Sequence, residues 1–449
     1  MMMMMMKPSG KVGYAAILAV VLILMYSSFY TYLLAQEESV NTGPAVLTAI
    51  LSETNVFVWE GIMSAAERRL EERHPNLDVQ VQYEVLPYED MKDRISDAIS
   101  NKTLIDIISM DQIWVGEFAE KGYLTDLTNL TRDWGRSSEW YETNWGGGIY
   151  NNRVFAIWAW TDVRGIWYWK DLLDVANVNP ESLKTWDGYI TAGKRLNEIL
   201  RPQGIEGVHL VGAGHSPDLW YPYVWMLGGD ILEMRSNHPT RGSYWFPAFN
   251  NTEGVMAAEF LRKQIEGGIN PQKEHYWGQE FANRSFAVMI EGSWLPGEFP
   301  QEQRTDFKQN IGFLPMFPVP HENNITSTLM GGWELGIPIT SNNKTLAWEF
   351  LTYMVDPEIL TPMLQQNGYL PTQLPIGEGA FSARMNQSVP YYQEMVSLIP
   401  LGHKRPNIPE YPLIADNIQL AIDKIYRGEE DPKQALDDAA TKSAEILGW

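Results

Sequence analysis

Cysteine is missing from all 449 residues. That removes disulfides, thiolate zinc sites, iron–sulfur clusters, cysteine nucleophiles and a lipid-modified N-terminal cysteine at once. Histidine is scarce, with seven at positions 74, 209, 215, 238, 275, 321 and 403. None of them form the H-E-x-x-H pairing of a helical zinc site, so no metal is expected. Positive charge is also short: 34 Lys and Arg stand against 56 Asp and Glu, a net charge of −22. A phosphate backbone would be repelled over most of such an exterior, and nucleic acid is not an expected partner. There is no P-loop, and after Gly212 and Gly214 the Rossmann spacing meets Pro217 instead of a third glycine, so the dinucleotide fingerprint fails. No cofactor is therefore expected. The body shows no solenoid period and no low-complexity linker.

One long apolar run is present. Lys7 and Lys11 precede an uncharged stretch from Val12 to Ala35, and Glu37 and Glu38 follow it. The run exceeds the roughly 7–15 residues of a signal-peptide core and matches the roughly 20 that span a bilayer. Residues 1–36 therefore read as an uncleaved membrane anchor. The alternative is a signal peptide cut after Ala35, where Leu33 is not the small residue that cleavage prefers. The leading lysines place the N-terminus in the cytosol and the body outside. Asn-x-Ser/Thr acceptors at Asn101, Asn129, Asn250, Asn283, Asn324, Asn343 and Asn386 fit a glycosylated exterior.

By length alone the chain could hold about three domains, although two large α/β lobes fit equally well. From Ala45 short apolar runs alternate with amphipathic stretches, as in a parallel sheet with covering helices. "AVLTAIL" (Ala45 to Leu51) reads as a first strand, followed by a helix ending near Arg68–Asn76 and the alternating strand "DVQVQYEVL". A helix through "YEDMKDRISDAIS" leads to "LIDIISM", apolar enough to be buried on both faces, and "IWVGEFAEKG" resumes helical spacing with Gly122 as its stop. This is a βαβαβ start. The tract from Asp133 to Tyr150, rich in Trp and Gly, reads as loop.

Aromatics are abundant: 18 Trp, 21 Tyr and 15 Phe. An indole face stacks on the C–H face of a pyranose while nearby carboxylates accept from its hydroxyls, a combination suited to neutral sugars. Four clusters carry that mixture: Trp59 with Glu60, Asp111 with Trp114, Trp158 and Trp160 with Asp162 and Arg164, and Trp220 through Trp225. Trp167, Trp169 and Trp348 read as packing. Asp111 and Glu53 each follow an expected strand, and ligands in open α/β sheets bind beyond the carboxyl ends of strands.

Several segments, in order, resemble the extracellular solute-binding proteins of ABC importers, of the maltose and trehalose type. They are "ERHPNLDVQV" (from Glu72), "IDIISMDQIWVGEFAEKGYLTDL" (from Ile105), "RGIWYWKDLL" (from Arg164) with "TWDGY", and "FANRSFAVMIEGSW" (from Phe281). "IGFLPMFPVP", "GGWELGIPITSNNKTLAWEFLTYMVDPE" (from Gly331), "NGYLPT", "KRPNIPEYPLI" and "DPKQALDDAA" complete the set. The resemblance covers Ala45 to the C-terminus. It implies an α/β fold of two lobes, joined by a hinge, that trap ligand in an interlobe cleft. Lobe one would comprise residues 45–161 with 315–342, and lobe two residues 162–314 with 343–449. It further implies ligand contacts from Trp294 in "EGSW", Trp333 in "GGW", Asp162 and Trp160 at the first hinge, Asp111 after the third strand, Arg405 in an Arg-Pro turn and, more distantly, Glu53. One departure is that no Trp occurs between His403 and Lys424.

The function implied is non-enzymatic: a membrane-anchored receptor that captures a neutral mono- to oligosaccharide and presents it to importer permease subunits. Two other readings stand beside it. A peptide or sensory receptor of the same fold would use the aromatic tract from Trp220 to Trp225. A glycoside hydrolase would use Asp111 and Asp162 as its acid and base.

Overall fold

A computed structural model describes residues 44–52, 56–209, 217–238, 242–269, 278–299, 303–322 and 324–449. The apolar run Val12–Ala35 and Glu53 lie outside the described residues. Among the described residues no helix is long and apolar enough to cross a membrane.

The strands are β1 (Ala45–Ser52), β2 (Val79–Leu86), β3 (Ile107–Asp111), β4 (Ile149–Tyr150), β5 (Arg153–Val154), β6 (Ala156–Asp162), β7 (Arg164–Trp169), β8 (Glu206–His209), β9 (Leu232–His238), β10 (Gly242–Pro247), β11 (Phe286–Gly292), β12 (Ile311–Leu314), β13 (Thr328–Gly336), β14 (Leu370–Pro371) and β15 (Gly402–Lys404). The longer helices are α1 (Val56–Arg73), α2 (Tyr88–Ser100), α3 (Trp186–Leu200), α4 (Thr252–Glu266), α5 (Lys344–Met354), α6 (Pro357–Asn367), α7 (Tyr411–Tyr426) and α8 (Pro432–Ile446).

Local sequence accounts for these elements. In α2, Glu89 and Asp90 sit in the first turn, and Met91, Ile95, Ala98 and Ile99 form one buried face at helical spacing. Thr185 caps α3 by accepting from Gly188 N at 3.3 Å, and Asp356 caps α6 by accepting from Glu358 N at 3.1 Å. All five residues of β3 are buried, as a strand covered on both faces requires.

Two sheets result. The first runs β14-β6-β13-β3-β1-β2, with β15 also paired to β13, and the second runs β12-β7-β11-β8. β1 is parallel to both β2 and β3, the βαβαβ start expected from the sequence. β13 returns antiparallel between β3 and β6. The chain leaves the first sheet at Asp162, passes through buried Val163 and enters the second at Arg164. It comes back between β12 and β13. These two crossings are tied together: the Thr328 hydroxyl accepts from Arg164 N and donates to Arg164 O, each at 2.9 Å.

The second half of the chain corrects the expected division. The resemblance implies that residues 343–449 belong wholly to lobe two, yet α5 and α6 pack on α1, and Trp348, Leu351, Met363 and Ile376 belong to the first lobe's core. β14 also pairs with β6 in the first sheet. The short connection from β13 to α5 keeps these helices beside the sheet they follow. Further along, Tyr392, Met395, Ile414 and Leu436 join the second core, where α7 and α8 pack on α4.

Candidate functional site

The site is assembled where β3 and β6 end and β13 and β7 begin. β13 brings Trp333 opposite Asp111 of β3 and Gly331 opposite Asp162 of β6. Glycine is required at 331 by close approach, since a Cβ there would lie 2.6 Å from Asp162 Oδ2. Gly332 adopts φ +135°, beside a register shift between Trp333 and Glu334.

Asp111 is saturated by protein donors. Its Oδ1 accepts from Arg405 Nη2 at 2.7 Å and from Ile113 N at 3.3 Å, and its Oδ2 accepts from the Tyr88 hydroxyl at 3.0 Å. Around it Tyr88, Trp114 and Trp333 form an aromatic group with ring centroids 5.3–6.2 Å apart, two of the three pairs meeting edge-on. Trp333 is half-buried.

Arg405 also sends Nη1 to Asp218 Oδ2 at 3.3 Å, and Arg164 Nη2 approaches the same oxygen at 3.8 Å. Burial alone would lower the Arg405 guanidinium, but Asp111 and Asp218 outweigh it and hold the group above its usual range. Burial pushes Asp162 up to about 6, with Arg164 and Arg405 opposing and Asp111 adding repulsion. The Glu291 carboxyl is likewise raised by burial, with Arg164 opposing. Trp294 follows β11, and Arg164 lies 5.4 Å from its ring centroid. Gly292 makes room for that ring, because a Cβ at 292 would sit 2.1 Å from Trp294 Cζ3.

Among the described residues, Asp162 Oδ1, Arg164 Nη1, Ser293 Oγ and Arg405 Nε are buried side-chain atoms with no protein partner. Donors and acceptors are thus mixed within one cluster. Such a set can hydrogen-bond a ligand whose groups both donate and accept, as hydroxyls do.

The structure therefore brings together Asp111, Asp162, Arg405, Trp294 and Trp333. Trp160 is placed elsewhere, at 1% exposure inside the first core, 5.3 Å from Trp59 and 5.8 Å from Tyr369 between ring centroids. Trp59 and the residues Trp220, Tyr221, Tyr223 and Trp225 are core as well. Tyr88, Asp218, Glu291 and Ser293 were not picked out from the sequence. Tyr88 could have been found by the rule that selected Asp111, since it too follows the carboxyl end of a strand. Asp218 precedes the aromatic tract Trp220–Trp225 and follows no strand end, so no local signal marks it.

Comparison with known proteins agrees with this architecture. Residues 59–359 match the family model described as bacterial extracellular solute-binding protein. The arabinooligosaccharide-binding protein of Bacillus subtilis is 23% identical over 396 residues, covering 82% of this chain and 85% of that protein. A solute-binding protein of Thermotoga lettingae, solved with alpha-D-tagatose, superposes with a TM-score of 0.74 at 22% identity over 90% of this chain and 100% of its own. The cyclic alpha-maltosyl-1,6-maltose binding protein of Arthrobacter globiformis gives 0.73 at 22% identity over 90% and 99%. With two sheets joined by tied crossings, a polar site where they meet and a family match over most of its length, the chain belongs to the bacterial extracellular solute-binding proteins.

Proposed function

We propose that the protein is the extracytoplasmic receptor of an ABC importer and captures a neutral sugar or oligosaccharide as its lobes close. The observation that carries this is the set of buried, unpartnered donors and acceptors on Asp162, Arg164, Ser293 and Arg405, with the half-buried rings of Trp294 and Trp333 beside it. Polar atoms fix hydroxyl positions and indole faces supply stacking area. Relatives named for arabinooligosaccharide and cyclic maltosyl-maltose support the ligand class. The peptide-receptor alternative loses its motive, because the aromatic tract from Trp220 to Trp225 is packed into the second core.

Isothermal calorimetry against a panel of mono- to oligosaccharides should give micromolar or tighter binding to at least one, with the sugar recovered intact. Silence across the panel would sink the sugar reading, and release of reducing ends during a day's incubation would favour the hydrolase.

The receptor is held at the membrane by the Val12–Ala35 segment in this proposal, and its exterior is glycosylated. Asn101, Asn129, Asn283, Asn324, Asn343 and Asn386 are exposed, whereas Asn250 is half-buried and its Nδ2 donates to Asp437 Oδ1 at 2.8 Å. Mass spectrometry of protein from its native cells should find glycan on the exposed acceptors and none on Asn250. Bare asparagine at all six exposed acceptors would remove the glycan from the proposal.

A further inference from the structure

We propose that His403, backed by Trp225 and flanked by Asp230, forms a second sugar subsite beside Arg405, so that the ligand is an oligosaccharide held through at least two of its residues. The proposal rests on the sugar-receptor reading above and adds the ligand's length to it.

β15 carries this segment into the site. Its three residues pair in parallel with Thr328, Leu329 and Met330 at the start of β13, and Arg405 follows directly. Side chains of an extended segment alternate between faces, and the contacts here follow that rule. Lys404 turns toward the first lobe, where its Cε would lie 3.6 Å from a Cβ on Gly146. His403 and Arg405 turn the other way and meet one stretch of the second lobe. Arg405 Nη1 reaches Asp218 Oδ2 in the turn Pro217–Leu219, and His403 lies on Trp225 of the helix Tyr221–Met226. Two residues of strand set these side chains about 6–7 Å apart. Burial falls away along the same face, from Arg405 at 7% exposure to an exposed His403 and an exposed Asp230. The buried polar cluster thus continues into an open rim, and a ligand longer than one sugar residue would lie along it.

The rim has the parts that a sugar needs. The His403 ring is stacked on Trp225 with centroids 4.8 Å apart and planes 12° from parallel, so its exposure belongs to the opposite face and the edge. Trp225 itself remains core and serves as backing. Asp230 Oδ1 accepts from Trp225 Nε1 at 3.2 Å and from Ile231 N at 2.7 Å, which anchors the carboxylate to the same indole. Its Oδ2 has no hydrogen-bond donor among the described residues. A flat ring for the C–H face of a sugar therefore stands beside an acceptor for its hydroxyls.

The test is calorimetry on the full-length chain with two pairs of probes, glucose with maltotriose and arabinose with arabinotriose. In a pair that binds, the trisaccharide should bind roughly tenfold tighter than its monosaccharide, the gain from one more stacked residue. His403→Ala should bring that ratio close to one, and His403→Phe, which keeps a flat ring on Trp225, should retain it. Asp230→Asn, which preserves volume and an acceptor for the Trp225 indole, should cut the ratio several-fold. Equal affinity for mono- and trisaccharide in the parent overturns the subsite. So does an equal fall in the ratio for the Ala and Phe variants, or a loss in the Ala variant that both sugars share and that leaves the ratio unchanged. Silence with all four sugars overturns the sugar reading and the subsite together, so the two failures are told apart.

Discussion

Trp160→Ala is expected to cost roughly 3–5 kcal/mol of folding stability, whereas Trp294→Ala should cost roughly 1.5–3 kcal/mol of sugar affinity and leave apo unfolding nearly unchanged. The resemblance to sugar receptors placed both rings in the cleft, and packing separates them. Trp160 is 1% exposed and packs against Trp59 and Tyr369, so its removal leaves a cavity in the first lobe's core that neighbours fill only in part. Trp294 is half-buried and rests over Gly292 and beside Arg164, so its loss removes a platform and little core. Urea unfolding and calorimetry on each variant separate the two effects. A Trp160 variant that melts like the parent but binds sugar weakly would return that ring to the site, and a Trp294 variant that melts far below the parent would remove Trp294 from it.

The same contrast shows what could be read from the sequence. β1 to β3 and their helices were legible because each signal is local: alternation in "DVQVQYEVL", helical spacing in "YEDMKDRISDAIS", an almost wholly apolar run before Asp111. Asp111 was legible because strand ends are where an open sheet presents side chains, and Asp162 through the resemblance, which implies an acidic residue at the first hinge. Trp160 was not. β6 is buried on both faces, so period-2 alternation cannot distinguish a side chain bound for the cleft from one bound for the core. The placement of α5 and α6 was illegible for a related reason. An amphipathic helix announces that it needs a core without specifying which lobe supplies it, and that choice follows from β13 returning to the first sheet. Asp218 contributes to the cluster only because Arg405, remote in sequence, is folded against it at 3.3 Å.

Glu334→Gln should stabilise the apo protein at neutral pH, by a margin that widens with pH. Glu334 follows Trp333 on β13 and is fully buried, and neither carboxyl oxygen has a hydrogen-bond partner among the described residues. The tract ending in Gly146, Gly147 and Gly148 closes over it. A Cβ at Gly147 would lie 2.6 Å from Glu334 Oε1, and one at Gly148 only 2.0 Å from Ala156 O, which accounts for the glycines. Burial holds the Glu334 carboxyl well above the usual carboxylate range, with the Lys404 ammonium opposing. Native Glu334 therefore keeps a proton that the unfolded chain, near its ordinary value of 4.5, has released. With more protons bound in the native state, stability falls as pH rises above about 4.5, by about 1.4 kcal/mol per unit until the native group itself ionises. Asp162, raised to about 6, adds a loss of the same sign between its ordinary 3.8 and that value. Gln keeps the shape and removes the linkage, so the gap between variant and parent should be near zero at pH 4 and widen steadily as pH rises toward neutrality. Urea unfolding of both proteins from pH 4 to pH 8 measures it. A gap that is flat with pH would remove the buried proton, and a variant that weakens as pH rises would mean instead that Glu334 is ionised and paired with Lys404.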